Sequence, residues 1–171
     1  MKNKLIQKLK SEHEEIKQLF QKAEDAPESD RKSCLEDIEM NLIPHARGEE
    51  KMIYSLNLER SDEKEKLEKT NEAYEEHKVA DEILSELKKI DVSDPRWKAR
   101  LSVLKENVTH HIEEEEEEFF KSVEKNFDRD ELDELYNQYE SIKQEFEEKL
   151  PTQSQISERS PEPEAAKVVN G

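Results

Sequence analysis

Four histidines and two glutamates stand where amphipathic helices are expected to bury apolar side chains. His45 and Glu49 are four residues apart, as are His111 and Glu115, so each pair lies one turn apart on a single helix face. His13 shares a register with Leu5, Leu9, Ile16 and Phe20, and His77 shares one with Tyr74, Asp81 and Leu84. Burying such groups near mid-helix is unfavourable unless they are satisfied, and an unpaired buried carboxylate is especially so. A pair of cations removes that penalty, and carboxylates can bridge both ions. Imidazole with carboxylate suits iron, manganese or zinc more than calcium or magnesium. The predicted metal ligands are therefore His13, His45, Glu49, His77, His111 and Glu115.

The neighbours of these residues are assigned by register. Glutamates occupy every position from 113 to 118 and so cover all sides of a helix. Some must face inward, and a bound cation would relieve their repulsion. His110 shares its stripe with Asn107 and Glu114 and reads as a rim residue. Glu50 and Glu116 fall at the outer helix boundary. Asp81, one turn beyond His77, has three open roles: an additional ligand, an acceptor behind a ligand, or a salt-bridge partner. Tyr54, Tyr74 and Trp97 read as packing residues. The sequence has no Ser-His-Asp signature, no phosphate-cradling glycine loop and no CxxC pair. Its single cysteine, Cys34, lies among apolar helix positions and reads as a reduced core thiol.

Long amphipathic helices must position these groups. Glu, Lys, Leu and Gln abound, glycine occurs only at positions 48 and 171, and strand-like alternation is scarce. The apolar periodicity predicts helices over about 2–25, 31–56, 62–90, 95–126 and 129–150. Pro44 falls inside the second and predicts a kink or a broken turn. Residues 57–61 read as a short connection, with Ser61 able to cap the third helix. Asp94 and Pro95 mark the start of the fourth, and Asp128 caps the fifth. The stripe of the second helix is Leu35, Ile38, Leu42, Met52 and Leu56. The fifth helix, with Leu132, Leu135, Tyr139, Ile142 and Phe146, is expected across the outside or an end of the bundle. The reading is all-α: a four-helix bundle with an extra C-terminal helix in one domain, 1–150, and a disordered acidic and polar tail, 151–171. The two halves echo each other loosely, His13 then His45–Glu49 against His77 then His111–Glu115.

A formal net charge of −17 repels nucleic acid and anionic lipid, and no basic patch argues otherwise. Without a long apolar run, the chain is expected to be cytoplasmic. The competing reading is an acidic helical interaction module that binds a basic protein and uses its histidines only for packing.

The segments SEHEEIKQLF, LIPHARGEEKMIY, YEEHKVADEILSEL and VTHHIEEEEEEFF, in this order over about residues 5–125, resemble the hemerythrin-like HHE cation-binding family. The resemblance implies an up-down bundle holding a non-haem, oxo- or hydroxo-bridged di-iron centre. It implies Glu49 and Glu115 as bridging carboxylates, His13 and His45 on one iron, and His77 and His111 on the other. The functions implied are carriage or sensing of O2, storage or sensing of iron, and action on peroxide or nitric oxide. The chain departs from the family in two respects: Ser55 and Lys121 stand where prolines often follow the acidic-aromatic segments, and Asp81 stands where respiratory members carry a further histidine. Reactivity toward O2, peroxide or nitric oxide is therefore expected over reversible carriage.

Overall fold

The computed structural model describes residues 3–60 and 64–150, with side chains 65 and 66 excepted. Every regular element among them is helical. Helix α1 spans Lys4–Asp25 and begins where the Asn3 side chain accepts from the Leu5 N–H at 3.0 Å. A 3-10 turn, Glu28–Asp30, leads into α2, Arg31–Gly48. A π-helical segment, Glu49–Tyr54, joins α2 to α3, Ser55–Arg60. Helix α4 spans Lys64–Leu87. Asp94 caps α5, Pro95–Glu114, accepting from the Arg96 N–H at 2.9 Å with Pro95 in the first turn. A second π segment, Glu115–Phe119, continues into α6, Phe120–Asn126. A reciprocal capping box between Asp128 and Glu131 starts α7, Arg129–Lys149.

The four rods α1, α2–α3, α4 and α5–α6 run up and down as a bundle, and α7 lies against α1 and α2. The fifth helix thus packs on the outside, one of the two placements expected for it. None of the described helices is long and apolar enough to cross a membrane. Ser61 and residues 151–171, and with them the expected cap and tail, lie outside the described residues.

Pro44 does not break its helix: α2 runs through it to Gly48. The departure from α geometry comes at Glu49 instead. A π turn holds one extra residue, so everything after it is rotated by about 100° from the α extrapolation. This corrects the expected stripe. Ile53, Tyr54 and Asn57 are buried there, while Met52 and Leu56 are only partly so. The expected connection over 57–61 is also helical through Arg60. Asn57 is a polar residue buried there because its side chain is satisfied. Its Nδ2 donates to Thr70 Oγ1 at 3.3 Å and its Oδ1 accepts from Asn126 at 2.9 Å.

The apolar core is split in two. One cluster contains Ile16, Phe20, Ile38, Leu84, Trp97 and Leu104, and also Cys34. The other contains Leu5, Leu9, Ile53, Phe120, Val123 and Tyr139. Leu9 and Ile16 flank His13 but belong to different clusters, and so do Ala73 and Ala80 around His77. A polar layer therefore crosses the bundle at mid-height, with apolar packing above and below.

Candidate metal centre

The polar layer brings together all six predicted ligands. His13, His45, Glu49 and Glu115 offer donor atoms within 4.8 Å of one another, and Glu49, His77 and His111 form a second such group. All six residues are buried. Glu49 divides its carboxylate: Oε1 lies 3.2 Å from His45 Nε2 and 3.7 Å from His13 Nε2, while Oε2 lies 3.6 Å from His77 Nε2. Glu115 Oε2 is 3.4 Å from His13 Nε2 and 3.5 Å from His111 Nε2. Metal bonds of about 2.0–2.2 Å impose donor–donor edges of about this length. Both glutamates open a π segment, and π turns recur at functional sites.

Behind each imidazole stands a carboxylate. His13 Nδ1 lies 2.9 Å from Glu116, His45 Nδ1 2.8 Å from Glu12, His77 Nδ1 3.0 Å from Glu50 and His111 Nδ1 2.7 Å from Glu76. An ionised carboxylate can only accept, so each Nδ1–H donates and each Nε2 is turned toward the centre. The pattern has a two-fold logic legible in the chain: Glu-His on α1 and α4, His-x-x-x-Glu-Glu on the other two rods. Each second carboxylate serves a histidine of a neighbouring helix. Glu50 and Glu116 do lie at the helix boundary, but they turn inward to orient imidazoles. Glu12 and Glu76 carry out the same task without having been singled out by register.

The arrangement fits cations better than it fits itself. Both Glu49 oxygens, Glu115 Oε2 and His13 Nε2 are buried without a hydrogen-bond partner. His77 Nε2 and His111 Nε2 approach to 2.8 Å, although both rings already donate through Nδ1. With each Nδ1–H given to a carboxylate, both Nε2 lone pairs face the same point, as two ligands of one cation would. Burial lowers the affinity of His13 and His45 for protons, but the carboxylates around them win. Glu115 and Glu49 push His13 up to about 10, and Glu49 and Glu12 push His45 up to about 9. Burial would raise Glu49, yet His45 and His13 hold it well below the usual carboxylate range.

Residues 4–123 match the family model of the hemerythrin HHE cation binding domain. The chain belongs to this family. No curated protein and no solved structure matches it. The HHE match covers the bundle nearly to the end of α6 and stops before α7.

Asp81 is not part of the donor cluster of this HHE bundle. Of its three open roles it takes the salt bridge: its carboxylate pairs with Arg47, which also pairs with Glu50. His110 is largely exposed, as its stripe predicts, with a side chain 63% accessible. Tyr54 is more than packing. Its hydroxyl donates to Glu115 and lies 3.5 Å from His77 Nε2 and 3.3 Å from His111 Nε2. The signal for it was its position five residues after Glu49, one π turn on, where α periodicity points to Ile53.

Metal ligation needs neutral imidazole, so loading must displace the protons held by His13 and His45. At pH 7 uptake is expected to release on the order of one proton per imidazole so held, which calorimetry in buffers of different ionisation enthalpy will count. In the metal-free protein, stability from the raised His13 and His45 is complete below about 6.5 and lost as pH rises through about 9 and 10. Melting temperature without metal should therefore fall between pH 7 and 10, while that of the loaded protein changes little. Metal-free and loaded melts that run parallel over this range would refute the assignment.

Proposed function

We propose that this chain holds a non-haem di-iron centre that reacts with O2, peroxide or nitric oxide, in the cytoplasm. His13 and His45 serve one ion, His77 and His111 the other, and Glu49 and Glu115 are shared. The observation that carries this reading is Glu49, wholly buried, with one oxygen toward each histidine pair and neither oxygen hydrogen-bonded. Iron would supply redox chemistry and an open coordination position. The protein's own part is to orient four imidazoles through carboxylates, exclude water with two apolar clusters, and admit small molecules. A cavity of about 20 Å³ adjoins His45, His77 and His111 and is walled by Ile16, Leu42 and Val108. That is room for roughly one water or a diatomic ligand.

The preference for reactivity over reversible carriage passes from Asp81, which is engaged with Arg47, to Tyr54. Tyr54 is a neutral donor to Glu115 without metal; beside an ion held by His77 and His111 it would lose its proton and offer a hard, anionic oxygen that favours the ferric state. Metal analysis after iron-supplemented expression should find about two ions per chain. Chelation should lower the melting temperature by on the order of 10 °C while far-ultraviolet circular dichroism keeps its helical form. Purified protein with well under one ion per chain would sink the reading and favour the interaction module.

A further inference from the structure

Among the carboxylates behind the imidazoles, the two-fold arrangement is unequal at Glu12 and Glu76. Glu12 and Glu76 are counterparts, each preceding a histidine and each accepting from an imidazole Nδ1 of the next rod. Glu76 lies beside the exposed His110 at the surface. Glu12 is 4% exposed and closed over by α7, the helix outside the family match. The Tyr139 hydroxyl donates to Glu12 Oε2 and stands 2.9 Å from His45 Nδ1. Lys143 Nζ donates to Glu12 Oε1 at 2.6 Å, and Lys8 Nζ lies 3.1 Å from the same oxygen. Tyr139 reaches this depth because α2 has Gly48 beneath it. A Cβ there would lie 2.5 Å from Tyr139 Cε2, so any other residue would push the ring out.

We infer that Tyr139 is a positioning residue: through Glu12 it fixes His45, so that helix α7 makes the His13–His45 half of the centre the tighter of two unequal metal positions. This rests on the two-metal reading above. The physical reason is orientation. His45 Nδ1–H faces both Glu12 and the phenol oxygen, and Glu12 is itself held by a tyrosine and two lysines, so neither ring nor carboxylate can swing. Behind its Nδ1 His111 has Glu76, whose side chain is half-buried and whose other oxygen faces the exposed His110 at 4.0 Å, with no tyrosine or lysine among the described residues closing over it in the way that holds Glu12. A better-oriented imidazole loses less freedom on binding, and outer partners of this kind are worth about 10–100-fold in metal affinity.

The test is anaerobic titration of the full-length metal-free protein with Fe(II) against a chromophoric chelator. Wild type should show one tight and one weak position. Tyr139→Phe keeps the ring in the Gly48 notch and removes only the hydroxyl. It should weaken the tight position about 10–100-fold and leave the weak one unchanged. In the zinc-loaded protein, the nitrogen-15 shift of His45 Nδ1 should move while those of His77 and His111 stay, which loss of packing alone would not produce. Should Tyr139→Phe lose helicity, Lys143→Met carries the same expectation, with a weakening of about tenfold. Wild type binding two ions, with both affinities and the His45 shift unaltered in these variants, overturns this inference alone. Wild type binding no Fe(II) overturns the two-metal reading and this inference with it.

Discussion

Glu49→Gln should empty the centre. Metal content is expected to fall from about two ions per chain to below about one, a larger loss than removing any single histidine. Glu49 is the residue whose two oxygens face different histidine pairs, Oε1 toward His45 and His13 and Oε2 toward His77. Glutamine preserves the volume, so the apolar clusters on either side are undisturbed. It replaces one oxygen with an NH2 that cannot ligate, and it removes the charge that offsets two cations. His13→Ala, by contrast, should leave a partly loaded centre, because Glu115, His111 and His77 still surround the other position. Elemental analysis of both variants, with melting curves, gives the comparison. Two ions per chain in Glu49→Gln would remove Glu49 from the coordination sphere.

Tyr54→Phe should change the chemistry without emptying the site. In the metal-free protein burial, with Glu115 and Glu49 nearby, pushes the Tyr54 phenol well above its ordinary range, so it is a neutral donor to Glu115. A cation held by His77 and His111 reverses that local field and favours phenolate. The oxidised, loaded wild type should then absorb in the visible through phenolate-to-iron charge transfer, and Tyr54→Phe should lose that band. Phenylalanine keeps the stack on His77, whose ring centroid lies 5.4 Å away, and the edge contacts to Tyr74 and Phe119. Stopped-flow mixing of the reduced protein with O2 should show direct passage to the ferric form. In Tyr54→Phe that passage should slow by at least about tenfold. An unchanged band and unchanged oxidation would place Tyr54 back among the packing residues. A wild-type species that releases O2 on evacuation would overturn the preference for reactivity.

Local rules made much of this protein legible in its sequence. Apolar periodicity located the helices, because a helix face repeats every three to four residues whatever surrounds it. Asp94 with Pro95, and Asp128, marked helix starts because capping is settled within one turn. The i,i+4 spacing put His45 with Glu49 and His111 with Glu115 on inward faces for the same reason. Tertiary structure alone decided what lies across from each face. Periodicity states a direction relative to a helix's own axis, whereas partners depend on the rotation and rise of one helix against another. Thus Glu12 serves His45 from another helix, and Asp81 goes to Arg47 instead of the centre. The π turns added a second uncertainty of register. One extra residue swings the rest of the rod by about 100°, bringing Tyr54 inward and leaving Met52 and Leu56 at the edge. The docking of α7 needed both partners at once: a tyrosine that reads as ordinary stripe, and a glycine in another helix that alone leaves room for its ring.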